Sequence, residues 1–413
     1  MLPLFYLIFA LPFNFNLPFR AWEQRKLGEL GEVTTGKAFS STSFDNQGEY
    51  LVITNKNISD SSRSQNIITN RISISDDEII QRYRLDGENI LVTMDGVNLG
   101  KTAMYSNANA LLAQRVGRIK SNQLEFIYQI TSSNTFLRTM QTLSVGNAIK
   151  HISLKQISEY SSLGPKDIIE RKKIGSFFKK LDNAIALHQR KLNALKLMKK
   201  GFLQQMFPKS EEDVPKIRFT DFNGNWRQRK LEEVADRVRG NDRRMELPTL
   251  TISASKGWLN QHDRFFGNIA GKEQKNYTLL KKGQLSYNHG NSKSAKYGAV
   301  FVLRTYDEAL VPRIYHSFKT NILANSDFIE YLFATKIPDR ELRKIVSSGA
   351  RMDGLLNINF NDFMSILIML PFVEEQIKIS NSLIRLDKII SLYQNKLDQL
   401  IKLKKAYLQY LFI

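Results

Sequence analysis

Two glycine–lysine motifs are the clearest candidates for chemistry in this chain. A phosphate-binding loop has four residues between its first glycine and Gly-Lys-Ser/Thr, so that successive backbone N–H groups surround a phosphate at a helix start. Gly96 and Gly100-Lys101-Thr102 enclose only three residues, whereas GEVTTGKA (31–38) has the right spacing but lacks the final hydroxyl. Neither motif is complete, so the elements around each one have to be considered.

Other catalytic groups are sparse. The chain has no cysteine, which excludes disulfides, cysteine-based zinc sites and thiol nucleophiles. Asp167 and Glu170 form a faint pattern of metal-binding carboxylates, so a self-sufficient DNA-binding nuclease with a metal site near Glu170 is the alternative function. The neighbouring Arg171 and Lys172 make solvated charge the simpler interpretation. With no Asn-Pro-Pro-aromatic tetrapeptide and no compact glycine motif for S-adenosylmethionine, we expect no catalytic residue and no metal site here.

The charge balance indicates a polyanionic partner. The 413 residues include 60 Lys and Arg against 40 Asp and Glu, a net charge of +20, which favours nucleic acid over a membrane surface. The apolar leader 1–21 contains three prolines and resembles neither a signal peptide nor a spanning helix. We therefore expect a cytoplasmic protein with no membrane association.

The chain repeats itself at about half its length. WEQRKL (22–27) recurs as WRQRKL (226–231), and the segment 181–207 recurs as 386–412 with about half of the aligned positions identical. This pattern predicts two tandem copies of one plan, each a globular block followed by a long helix.

Within the blocks, short apolar runs bounded by Gly, Asn and Asp predict strands, and segments such as 326–346 predict helices, so the fold class is α+β. The repeat also bears on the glycine–lysine motifs. A helix follows a phosphate-binding loop, but the block-two counterpart of Gly100-Lys101 leads into the strand-like YGAVFVL (297–303). The loop therefore belongs to a repeated β architecture, and nucleotide hydrolysis is disfavoured.

Each long helix carries apolar residues at alternating steps of four and three, which is typical of a coiled-coil seam. The helices either pair with each other or pack on their own blocks, and two matching seams favour pairing. The seam residues are Leu181, Ile185, Leu192, Leu195 and Phe202 in the first helix, and Leu386, Ile390, Leu397, Leu400 and Tyr407 in the second.

The repeat also predicts the domain boundaries. The linker between the two copies contains two prolines and a charge cluster. The predicted segments are the leader 1–21, block one 22–165, helix one 166–207, the linker 208–218, block two 219–370 and helix two 371–413.

Several of these features together resemble the specificity subunit of type I restriction–modification enzymes. The matching parts are W-x-Q-R-K-L at the start of each block, GNAIKHIS (146–153), GARMDGLLNI (349–358), and Pro165 and Pro371 before the two helices. The resemblance covers residues 22–413. It implies that each block is a target recognition domain that reads one half of an asymmetric bipartite DNA site. It also implies that the helices pair as an antiparallel coiled coil, set the spacer and dock two modification subunits.

The resemblance further implies a non-catalytic subunit with no cofactor of its own. S-adenosylmethionine would lie on the modification subunits, and ATP and Mg²⁺ on the partner subunits, which include separate restriction subunits. The DNA partner is double-stranded, and its bases must be read by polar side chains on loops. The predicted DNA contacts are Asn98, Lys101, Asn147 and Lys150 in block one, and Asn291, Lys293, Lys296 and Arg351 in block two.

Overall fold

The computed structural model describes residues 22–58, 69–146, 149–209, 212–265, 271–290, 292, 295–346 and 355–412. The predicted leader 1–21 lies outside these residues. The chain divides into two compact units. Unit 1 comprises residues 1–188 with 396–413, and unit 2 comprises residues 189–395.

Unit 1 is a mixed sheet with short helices. Its strands are β1 (Trp22–Lys26), β2 (Glu32–Thr35), β3 (Tyr50–Ile53), β4 (Arg71–Ile72), β5 (Arg84–Thr93), β6 (Thr102–Leu112), β7 (Val116–Lys120) and β8 (Ser161–Pro165). Its short helices are α1 (Leu27–Leu30), α2 (Asp77–Tyr83), α3 (Leu124–Thr131), α4 (Asn134–Leu143) and α5 (Leu154–Glu159). Within the described residues the main sheet has the order β2-β7-β5-β6-β3-β4, while β1 pairs separately with β8.

The first long helix, α6 (Ile168–Gln205), follows β8 directly. The side chain of Asp167 caps its first turn by accepting a 2.8 Å hydrogen bond from the backbone N–H of Ile169. The helix is slightly shorter than the predicted span 166–207. It ends before Phe207 because that side chain turns into the core of unit 2.

Unit 2 has its own set of short strands and helices. The strands are β9 (Arg227–Lys230), β10 (Ala235–Arg237), β11 (Leu250–Ser253), β12 (Gly257–Asn260), β13 (Thr278–Lys281), β14 (Leu285–Asn288), β15 (Ala299–Val302), β16 (Glu308–Val311), β17 (His316–Thr320) and β18 (Leu367–Leu370). The helices are α7 (Leu231–Val234), α8 (Gln261–Phe265), α9 (Ser326–Ala334), α10 (Asp339–Ile345), α11 (Phe360–Ser365) and the long α12 (Val373–Leu411), which lies just inside the predicted span 371–413.

The two units share one strand order. In unit 2 the sheet β10-β17-β14-β15 repeats the order β2-β7-β5-β6 of unit 1, and β9 pairs with β18 as β1 pairs with β8. The strand opened by each W-x-Q-R-K-L motif thus pairs with the strand that precedes a long helix. The sequence repeat therefore corresponds to a repeat of topology.

Each core is closed by the end of a long helix. In unit 1, Phe412 packs against Trp22 at 5.9 Å and Phe126 at 5.6 Å between ring centroids. In unit 2, Phe207 packs against Trp226 at 6.1 Å and Phe328 at 5.2 Å. Each unit therefore contains the beginning of one long helix and the end of the other.

Candidate nucleic-acid interface

The first candidate element in unit 1 is the loop between β5 and β6. It begins with a single 3₁₀ turn, Gly96–Asn98, in which Gly96 has a positive φ of 71°. The carbonyl of Asn98 accepts hydrogen bonds from the hydroxyl of Thr93 and from the backbone N–H of Lys101 (2.9 Å). Strand β6 follows at Thr102, which agrees with the β architecture predicted for the glycine–lysine motif.

A second loop, whose described residues are 144–146 and 149–152, lies beside the first. Val145 and His151 exchange two backbone hydrogen bonds of 2.9 and 3.0 Å, and His151 also forms a bridge with Asp95. The backbone N–H of Ile152 donates to the carbonyl of Met94 at 2.8 Å. Two segments that are far apart in sequence therefore form one surface.

Unit 2 has the same pair of loops. The N–H of Leu356 donates to the carbonyl of His289 at 2.9 Å, and Gly290 forms a bridge with Leu355. Because His289 follows β14 as Met94 follows β5, these contacts correspond to the contact between Ile152 and Met94 in unit 1. Residues 149–152 of GNAIKHIS and residues 355–356 of GARMDGLLNI, which lie in the described part of the chain, thus belong to the second loop of each pair.

A pair of histidines supports the unit 2 loop. His289 is buried, and its Nδ1 and Nε2 lie 2.7 Å and 3.0 Å from the carbonyl oxygens of Leu356 and Ile314. His316 stacks on it at 4.9 Å between ring centroids. Burial lowers the pKa of His316 to about 4, so this ring is neutral at physiological pH.

The predicted DNA contacts fall into three groups. Lys150 and Lys296 are exposed on these loops. Asn98 and Lys101 are half-buried, and the side-chain amide of Asn98 donates to the carbonyl of Asn55 at 3.4 Å, so Asn98 also supports the loop. The other four predicted contacts lie outside the described residues: Asn147, Asn291, Lys293 and Arg351.

A polar cluster around Asp95 on the unit 1 surface was not predicted from the sequence. Asp95 is buried, accepts a short hydrogen bond from the amide of Asn55, and forms an ion pair with Arg115 at 3.0 Å. An open pocket of about 360 Å³ lies at this centre and is also lined by Lys37 and Gln114. The only sequence signal was the short turn 113–115 between two strands, because the contact between Asp95 and Arg115 depends on tertiary structure.

The ten seam residues are all buried or half-buried, whereas outward-facing helix residues such as Leu197 are exposed. Within unit 1, Lys404 Nζ lies 2.6 Å from Asp182 Oδ1, and Phe177 packs against Tyr407 at 5.0 Å. Within unit 2, Lys199 Nζ lies 2.5 Å from Asp387 Oδ1. In each unit, therefore, side chains of one long helix contact side chains of the other.

The carboxylates of the nuclease alternative have different surroundings. Asp167 caps α6, and the buried Arg171 donates to Gln123 Oε1 and to the Pro165 carbonyl, both at 2.5 Å. Across the described ranges no cluster of three or more His, Asp or Glu side chains could hold a metal ion. Nothing in the surroundings of Glu170 favours this alternative.

Among the helices of the described residues, none has both the length and the hydropathy needed to cross a bilayer.

Three known proteins or families are similar to this chain. Residues 20–197 match the family model of the type I restriction modification DNA specificity domain. The specificity subunit of the type I restriction enzyme MjaVIII from Methanocaldococcus jannaschii is 23% identical, over 94% of this chain and 92% of that subunit. The crystal structure of a type I restriction–modification S subunit from M. genitalium superposes with a TM-score of 0.61 at 13% identity, covering 96% of this chain and 97% of that chain. At 13% identity, this structural similarity establishes the fold alone.

These findings define the class of protein as a DNA-recognition subunit, and such subunits are non-catalytic. The fold is α+β. More specifically, the prediction of a type I restriction–modification specificity subunit is confirmed, and its function at this level is recognition of a DNA sequence.

Proposed function

We propose that this chain reads a bipartite, asymmetric site on double-stranded DNA, with residues 22–165 and 219–370 as two target recognition domains. The observation that carries the proposal is the recurrence of the same pair of loops in both units, on the same strand order but with different side chains. Two similar scaffolds with different loop residues would recognise two different short sequences. The exposed Lys150 and Lys296 would supply phosphate contacts, which are sensitive to salt.

We further propose that segments 166–207 and 371–413 pair as an antiparallel coiled coil that sets the spacer between the half-sites. The ion pairs support this proposal. Asp182 and Lys199 of the first helix contact Lys404 and Asp387 of the second, so residues later in the first helix meet residues earlier in the second. The seam residues Leu192 and Leu397 are both buried, as the apolar residues of a coiled-coil seam should be. Segment 208–218 would be the linker.

The proposed partners are two modification subunits and the restriction subunits, which would carry S-adenosylmethionine, ATP and Mg²⁺, while this chain holds none of them. Leu187 and Leu392 occupy equivalent positions in the repeat, and both are exposed. Two equivalent exposed leucines suit two copies of the same partner. The complex would act in the cytoplasm, without a membrane.

The test is to map methylated sites in cells that express the partner subunits, with and without this chain. The proposal expects a set of methylated sequences that share two half-sites separated by a fixed spacer and that disappear when the chain is removed. An identical set in both cells would refute it. A chain carrying Glu170→Ala serves as a control, because the proposal expects its set of sites to be unchanged.

A further inference from the structure

Arg115 occupies an unusual backbone position. It ends the turn between β6 and β7 with a φ of 67°, a left-handed conformation that residues other than glycine adopt uncommonly. The N–H of Met94 donates to the Arg115 carbonyl at 3.0 Å, so the turn is attached to the β5–β6 loop. Such backbone positions are retained where the surrounding structure holds them, and they are frequent at functional sites.

The Arg115 side chain forms an ion pair and is nevertheless largely exposed to solvent. Its Nη1 lies 3.0 Å from Asp95 Oδ2, yet 62% of the side chain is exposed, against 6% for Asp95. A guanidinium has five N–H donors in a planar fork, and this ion pair uses one of them. Asn55 holds the other oxygen of the same carboxylate, so Asp95 orients the fork without covering it.

The surroundings suit a nucleic-acid base. The pocket at Arg115 is lined by Lys37, Gln114 and Phe39, and Asp95 is the one acidic residue among its described lining residues. Because Arg115 neutralises that carboxylate, the remaining charge on the pocket wall is positive. The positive charges of Arg115 and Lys37 attract a polyanion. The planar guanidinium of Arg115 can also donate two parallel hydrogen bonds to a base edge that carries two acceptors.

We propose that Arg115 reads a guanine in the half-site recognised by unit 1, with Asp95 as its positioning residue. In the major groove, guanine presents the N7 and O6 acceptors, and an arginine fork contacts both at once. The inference rests on the proposed function, because it assigns one base of the half-site to one side chain. An ion pair that served only to stabilise the turn would not affect base preference.

The experiment uses the complete complex with its modification subunits and measures methylation of duplexes in which each position of the site is randomised in turn. The variants are Arg115→Ala, Arg115→Lys and Asp95→Asn. The control is Arg82→Ala, because Arg82 is an exposed arginine on α2, at the opposite end of β5 from the loop. Arg115→Lys keeps the positive charge beside Asp95 but lacks the planar fork.

We expect both Arg115 variants to lose roughly ten- to a hundredfold in preference for guanine at one position of one half-site, with the other half unchanged. Asp95→Asn should weaken the preference at the same position, and Arg82→Ala should leave every position unchanged. Intact guanine preference in both Arg115 variants, or a half-site that contains no guanine contact, would overturn the inference. Absence of any sequence preference in the unsubstituted complex would instead refute the proposed function.

Discussion

The two ion pairs between the long helices differ in burial. We therefore expect the replacement of each lysine to lower the free energy of unfolding by a different amount. Lys404 contacts Asp182, whose side chain is 9% exposed, whereas Lys199 contacts Asp387, whose side chain is 38% exposed. Asp387 also accepts a 2.7 Å hydrogen bond from the hydroxyl of Tyr331. Replacing either lysine with methionine removes the charge but keeps a side chain of similar length.

We expect Lys404→Met to lower the free energy of unfolding of unit 1 by about 2–3 kcal/mol, because it leaves a carboxylate charged in a poorly solvated position. Lys199→Met should lower that of unit 2 by about 1 kcal/mol or less, because water and Tyr331 still solvate Asp387. Adding Asp182→Asn to Lys404→Met should recover part of the loss, because it removes the charge of the poorly solvated carboxylate.

The assay is native-state hydrogen exchange, which reports the opening free energy of each helix segment separately and does not require two-state unfolding of the whole chain. Amides of residues 176–188 report on Lys404→Met, and amides of residues 383–395 report on Lys199→Met. Equal losses of opening free energy in the two variants, or a larger loss in Lys199→Met, would contradict this prediction. Burial of the carboxylate would then not determine how much stability is lost.

Three further predictions concern other parts of the chain. Because the pKa of His316 falls to about 4 on folding from an ordinary value of 6.5, its contribution to stability is complete above pH 6.5 and is lost as the pH falls towards 4. Urea titrations at pH 7 and pH 5 should therefore differ more for the native chain than for His316→Asn. Arg218 binds the buried Glu375 through two 2.7 Å hydrogen bonds, so Arg218→Met should cost about 3 kcal/mol by denaturant unfolding, and a loss below about 1 kcal/mol would contradict this. If the modification subunits dock on the exposed leucines, Leu187→Glu and Leu392→Glu should each reduce the number bound from two to one by mass measurement, and binding of two to either variant would refute the docking surface.

The repeat made much of the fold predictable from the sequence. Strands such as Tyr50–Ile53 and Ala299–Val302, and both long helices, follow from local apolar patterns that need no tertiary information. The partner of each helix end was not predictable in the same way. Phe207 meets Trp226 close by in sequence, while the equivalent Phe412 meets Trp22 at the other end of the described chain.

The candidate site was predictable only in part. The loop that contains Lys101 could be singled out by its position after a strand, and the loop that contains Lys150 by its polar composition. The structure brings the two loops together through His151. The contact between Asp95 and Arg115 was missed because it joins the ends of different strands. Sequence patterns with a period of two or of 3.6 residues carry no information about such a contact.

The most direct test of the whole account exchanges residues 22–165 for the corresponding block of another specificity subunit and maps the methylated sites of the reconstituted complex. If each unit reads one half-site, one half of the recognised sequence should change, while the other half and the spacer stay the same. A change in both halves, or in neither, would contradict the assignment of one half-site to each unit.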